Sequence, residues 1–127
     1  MAPEQIRVYI TVNLDRPDIL EHPTVSYNPF KADIWSFGVC LFRMLCYGYP
    51  FKFEKKRQSE TFVETLPPIL KAMKKGFKIP EKMRTNLSDD CLNLMMALME
   101  YNKNRRIHMN VVITDKWIIN SPNLDKY

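Results

Sequence analysis

Residues 31–46, Lys-Ala-Asp-Ile-Trp-Ser-Phe-Gly-Val-Cys-Leu-Phe-Arg-Met-Leu-Cys, leave a helix almost no polar face. Ile34, Trp35, Phe37, Val39, Leu41, Phe42, Met44 and Leu45 point around the whole cylinder. A helix that is apolar on every side is a buried one. The uncharged stretch from Ile34 to Phe42 is far shorter than the ~20 residues that cross a bilayer, so its surroundings are expected to be protein and no membrane partner is expected. Gly48 and Pro50 are expected to end it. The segment therefore asks for a helical domain built around it.

The flanking pattern supplies the other helices. Leu66, Ile69, Leu70 and Met73 fall on one face of a helix over 66–75, with Pro67 and Pro68 in its first turn and Gly76 just past its end. Lys74 and Lys75 complement its C-terminal dipole. Ser88 is a good N-cap, Asp89 and Asp90 suit a first turn, and Leu92, Leu94, Met95, Met96, Leu98 and Met99 give a wide apolar face. A last helix is expected over 109–117, using Val112, Ile113 and Trp117. Residues 5–30 read as irregular: Pro17, Pro23 and Pro29 break them, and Asn13, Asp15, Asp18 and Asn28 favour turns. Within them, Ile6, Val8, Ile10 and Val12 alternate with Arg7, Tyr9 and Thr11, the pattern of a short strand. Residues 52–61 are polar and read as a surface loop carrying Lys55-Lys56-Arg57. The fold class is mainly α: four to five helices around a central buried helix, with no substantial sheet.

Composition narrows the function. A chain that is 46% hydrophobic and 26% charged is ordinary for a folded domain. The net charge of +5 comes from basic residues at 55–57, 74, 75, 78, 82, 84, 105 and 106, among others. A solvated surface accounts for them better than a nucleic-acid site, because no aromatic–basic alternation or zinc spacing accompanies them. Cys40, Cys46 and Cys91 are odd in number and form no Cys-x-x-Cys pair, so buried thiols in a reducing compartment are expected. No signal-peptide pattern opens the chain, and cytoplasm or nucleus follows by default. His22 and His108 have no ligand partners at metal spacing and read as surface or cap residues. Asp15 and Asp18 read as turn formers rather than an acid–base pair.

Three pieces stand in a telling order: Met1-Ala2-Pro3-Glu4-Gln5, then Lys31-Ala32-Asp33-Ile34-Trp35-Ser36-Phe37-Gly38-Val39, then Asn104-Arg105-Arg106-Ile107. Together they resemble the second half of the large lobe of a eukaryotic protein kinase. The resemblance implies a partial kinase domain over 1–120 and a short tail over 121–127. It implies a structural motif of Ala2, Pro3, Glu4, Asp33, Trp35, Gly38 and Arg106. Glu4 would pair with Arg106; Arg105 is an adjacent competitor, and spacing from Ile107 selects Arg106. Trp35 would pack beside the pair or serve as a plain core aromatic. Asp33 would accept hydrogen bonds from the backbone of the kinase catalytic loop, or act as an ordinary acid near a helix N-terminus. A short helix is implied after Glu4, where the alternation suggests a strand. Lys75-Gly76-Phe77-Lys78-Ile79-Pro80, Leu87-Ser88 to Leu98-Met99, Asn104 to Met109 and Lys116-Trp117-Ile118 are similar to the calmodulin-kinase-like group, and within it to testis-specific serine/threonine kinases. Asn102-Lys103 and Asp115-Lys116 depart from that group's usual Asp-Pro and His-Pro.

Phosphoryl transfer needs parts that hold ATP, bind magnesium and orient a hydroxyl. The only glycines are 38, 48 and 76, His22 and His108 are followed by Pro23 and Met109, and Phe37-Gly38 follows Ser36 rather than aspartate. No glycine-rich loop, His-Arg-Asp or Asp-Phe-Gly is present among the 127 residues. The resemblance thus implies a truncated, inactive fragment of a Ser/Thr protein kinase, with no catalytic, cofactor-binding or metal residues of its own. ATP and Mg would serve the full-length form. The alternative is a non-catalytic interaction module built from the kinase substrate-binding subdomain. Partners would be protein substrates or regulators, with self-association through exposed apolar surface.

Overall fold

The structure, a computed structural model, describes residues 1–13, 26–52 and 57–120. The expected turns at Asp15, Pro17, Asp18 and Pro23, the reading of His22, and Lys55, Lys56 and the 121–127 tail lie outside the described residues.

The apolar segment forms α2 (Pro29–Cys46), and it starts earlier than its hydrophobic run. Asn28 caps it: its Oδ1 accepts from Phe30 N at 2.9 Å, and Pro29 occupies the first turn, where a missing N–H costs nothing. It ends at Tyr47, not at Gly48. Tyr47 takes the left-handed conformation (φ 57°) and its N–H donates to Arg43 O at 3.1 Å. Ala32, Ile34, Trp35, Gly38, Leu41, Phe42 and Cys46 are buried. The opposite side is open: Phe30 is 79% exposed, Met44 64% and Phe37 37%, and Cys40 is exposed with them. The helix is thus central but not surrounded, because the described elements cover only one of its faces. Of the three thiols, only Cys46 and Cys91 are buried as expected.

Of the two readings of residues 6–12, the strand suggested by alternation and the helix implied by the resemblance, the structure has the helix. α1 (Pro3–Asn13) buries Ile6 and Ile10, four apart, and leaves Val12 exposed. Helical spacing, not alternation, decides which residues meet the core. α1 packs against α3 (Leu66–Lys75) and the 3-10 turn Val63–Thr65 before it. α3 buries Leu66, Ile69, Leu70 and Met73 as its periodicity predicts, and Gly76 N–H caps the carbonyls of Ala72 and Met73. A single turn, α4 (Glu81–Arg84), leads to α5 (Asp89–Leu98), where Ser88 Oγ accepts from Cys91 N at 3.1 Å. The expected helix over 109–117 is two turns instead, α6 (Met109–Val112) and α7 (Lys116–Ile119). Asp115 Oδ1 accepts from Trp117 N and starts the second turn, so the segment bends where one helix was expected; Val112 is buried, but Ile113 is exposed. Among the described residues there is no strand, and four helices of ten or more residues are supplemented by three single α-helical turns and one 3-10 turn.

α2 and α5 make the main contact of the core. Gly38 lets them approach: a Cβ built there would stand 2.9 Å from Leu98 Cβ and 2.7 Å from Met99 Cγ. Leu98 Cβ cannot swing away without moving α5. Replacing a mid-helix glycine by alanine normally gains about 0.5–1 kcal/mol, but overpacking a core costs roughly 1–3 kcal/mol. Gly38→Ala is therefore expected to lower stability by ~1–2 kcal/mol, read as a lower denaturant midpoint at unchanged slope. A raised midpoint would show that the helices can part without cost.

Candidate functional site

Glu4 lies in the first turn of α1, where the helix dipole favours a carboxylate. Its partner comes from a loop. Asn102 organises that loop: its Oδ1 accepts from Asn104 N at 2.9 Å, and its carbonyl accepts from Arg105 N and Arg106 N at 3.0 Å each. Asparagine here makes the turn that an aspartate would make, which explains how the chain tolerates this departure. The turn sends Arg105 out to solvent and Arg106 into the core.

The two side chains meet as a fork. Arg106 Nη1 donates to Glu4 Oε1 at 2.6 Å and Nη2 to Glu4 Oε2 at 3.0 Å. The remaining donors reach backbone carbonyls: Nε to Glu100 O at 2.9 Å, Nη1 to Lys31 O at 2.7 Å, and Nη2 to Tyr101 O at 3.5 Å. A guanidinium has five N–H donors, and all five find acceptors. Both side chains are almost wholly inaccessible, at 0% and 5% exposure. Trp35 closes one side, with Arg106 Cζ 5.1 Å from its ring centroid, and Phe51 stacks on Trp35 at 5.7 Å. Both expected roles of Trp35, core aromatic and neighbour of the pair, hold together.

Lys31 is the member that sequence reasoning missed. Its carbonyl accepts from Arg106, and its Nζ donates back to Arg106 O, so the two residues latch reciprocally. Desolvation, then the Arg106 guanidinium, push the Lys31 ammonium below its ordinary pKa, with Glu4 opposing. Lys31 Nζ also lies 3.3 Å from His108 Nε2.

Ala2 and Pro3 are buried at the start of α1, and Ala2 N–H donates to Gln5 Oε1 at 2.7 Å. Asp33 is the one residue of the expected motif that stands apart. It is exposed on the rim of a cavity of about 490 Å³ shared with Asn28, Phe30 and His108, and its carboxylate has no partner among the described residues. It also lies beyond the first turn of α2, out of useful reach of the helix dipole.

The arrangement braces three stretches of the chain. Both Glu4 oxygens are engaged, and burial pushes the Cys46 and Cys91 thiols up, Cys91 also through its neighbour Cys46. Among the described residues no three His, Cys, Asp or Glu side chains gather to hold a metal.

Comparison with known proteins agrees with this frame. The protein kinase domain family matches residues 4–118. Serine/threonine-protein kinase SRK2C of Arabidopsis thaliana is 32% identical over 87% of this chain and 30% of its own length. A putative ribosomal protein S6 kinase alpha-2 of Caenorhabditis elegans is 29% identical over 91% of the chain and 14% of its own length. Testis-specific serine/threonine-protein kinase 2 of Mus musculus is 26% identical over 80% and 25%. The chain spans less than a third of the length of these curated relatives.

Breaking the fork should be costly. Removing one partner of a buried pair leaves the other charge uncompensated, at about 3–5 kcal/mol. Glu4→Ala and Arg106→Ala should each lose that much in urea titration, and Arg106→Lys should not rescue, since a point ammonium cannot copy a planar fork. A loss under ~1 kcal/mol, the level of a surface pair, would show that the fork braces nothing.

Proposed function

The chain belongs to the protein kinase domain family, and we propose that it forms the part of a Ser/Thr kinase large lobe that begins at the Ala-Pro-Glu motif. In the full-length form that lobe would serve transfer of phosphate from ATP, with Mg, to Ser or Thr of protein substrates. The observation that carries the reading is the buried Glu4–Arg106 fork beside Trp35, joining the three sequence pieces that carry the kinase resemblance. Its work is mechanical: it fixes α1 against the start of α2, while α3 offers surface to protein substrates or regulators. The cell compartment this fits is the cytoplasm or nucleus. Membership of the calmodulin-kinase-like group is supported by the motifs over 75–80 and 104–118. Within that group the testis-specific kinases have 26% identity in their support, against 32% for SRK2C.

Residues 1–127 alone are proposed to be inactive. Isothermal titration with Mg-ATP should be flat, and no phosphate should reach a generic substrate such as casein. Saturable binding at micromolar affinity would overturn this reading.

The open side of α2 supports self-association of the isolated chain. Phe30, Phe37 and Met44 recur every seven residues and form one exposed apolar stripe. Size-exclusion chromatography with light scattering should show species larger than the 15.1 kDa monomer, and Phe37→Ser should shift the profile towards monomer. A wild-type monomer at high concentration would favour a self-sufficient, non-catalytic interaction module.

A further inference from the structure

One stretch of this chain is strongly basic. Residues 71–84 hold six of the 19 basic residues (Lys71, Lys74, Lys75, Lys78, Lys82 and Arg84) and one of the 14 acidic ones, Glu81. That segment therefore carries a net +5, the whole net charge of the chain, while the remaining residues balance at 13 of each sign. All six cations are exposed. Of these six, only Arg84 has a salt bridge to a described residue, Asp89 at 3.7 Å, and that pair is itself solvent-exposed.

The segment is not merely a solvated strip. The end of α3 and the chain that follows it form one wall of a groove of about 660 Å³, and α5 forms the other. Its floor is apolar, with Phe77, Leu92 and Met99, and Met96 stands 61% exposed within it. Lys74, Lys75 and Arg84 line the basic side; Glu100 and the Arg84-bound Asp89 are the acids present. Gly76 lies in its wall with φ 96°, a backbone conformation that favours glycine.

We propose that this groove docks an acidic segment of a partner protein that carries an apolar anchor. Carboxylates would lie along Lys74 and Lys75, and a leucine or phenylalanine side chain would enter against Met96, Leu92 and Phe77. Methionine suits such a floor, because its unbranched thioether adapts to the shape of the anchor. Exposed lysines give on-rate and partner choice through complementary charge, and burial of the anchor slows release. A nucleic acid would satisfy the lysines through phosphate contacts but would leave the apolar floor without a partner. The proposal deepens the reading of this lobe as a protein-docking element and rests on it.

The test is fluorescence anisotropy with the full chain and a labelled synthetic peptide of Asp and Glu flanking one Leu and one Phe. Saturable binding that weakens with added salt is expected. Lys74→Glu with Lys75→Glu should weaken it by about tenfold or more, in line with loss of complementary charge. Met96→Ala, a truncation at an exposed position, should weaken it while the circular dichroism spectrum stays unchanged. Arg57→Glu with Lys116→Glu makes the same charge change elsewhere and should leave affinity unchanged. The proposal is overturned if no saturable binding occurs, or if the control pair weakens binding equally. It is also overturned if the same peptide with Leu and Phe replaced by Ala, or a single-stranded oligonucleotide, binds as well. Mg-ATP binding would sink the reading of this chain as an inactive kinase fragment without altering this titration, so the two failures are distinguishable.

Discussion

The Arg106 guanidinium is the point at which three separate stretches of chain are tied together. Glu4 brings the start of α1, Lys31 the start of α2, and Glu100 and Tyr101 the loop after α5. An ion taken out of water loses several kcal/mol of hydration, and the attraction of one carboxylate does not always return it. What makes Arg106 tolerable is complete saturation: five donors, five acceptors, with Trp35 over its face. Such a group contributes less to total stability than to uniqueness, because any other arrangement of α1, α2 and the loop would strand a buried cation. A pair of apolar residues could hold these elements together as firmly, but it would not dictate their orientation.

α2 is tied at one end and packed on one side, and its two faces differ accordingly. Its buried face meets α5 closely enough at Gly38 to exclude even a methyl group. Its C-terminus closes on Tyr47 in a left-handed conformation that costs a residue with a Cβ roughly 1–2 kcal/mol. Arg43 lies 3.9 Å from the Tyr49 ring centroid, over its face, just beyond. Its other face presents phenylalanine and methionine to solvent. An all-apolar helix normally implies cover on every side, so the described residues form only part of the environment for which this sequence is suited.

How much of this was legible in the sequence depended on how local the signal was. α3 was readable to the residue, because its apolar spacing, N-terminal prolines and Gly76 agree with one another. Ser88 capping α5 was equally plain. The start of α2 is written in Asn28-Pro29, a cap followed by a first-turn proline, but the same dipeptide is equally a turn signal, and only the cap geometry tells the two apart. α1 was misread by pattern because Ile6, Val8, Ile10 and Val12 satisfy two periods at once; only the packing of Ile6 and Ile10 towards α3 selects the helical one. The break between α6 and α7 turns on one side-chain cap, Asp115, beneath the resolution of a hydrophobic pattern. The Glu4–Arg106 partnership spans 102 residues and was visible only through family resemblance. Lys31 was invisible even so, since its acceptor is a carbonyl that every residue has.

The core and the basic groove are mechanically one structure. Met99 is the side chain that a Cβ at Gly38 would strike, and the same Met99 forms part of the groove floor. Met73 faces the groove from α3 and also lines an apolar cavity of about 570 Å³ beside Trp35 and Phe51. Trp35 in turn rests on Arg106. Close-packed interiors transmit displacement rather than absorb it, so an occupant of the proposed site pressing on Met96 and Met99 would act on the Gly38 contact, and one displacing Met73 would act on the wall beside Trp35. The buried fork resists both, because moving Trp35 would unseat a guanidinium whose every donor is already committed. That is the physical sense in which a site with no reactive group still matters: it holds rigid the scaffold from which a partner would be gripped.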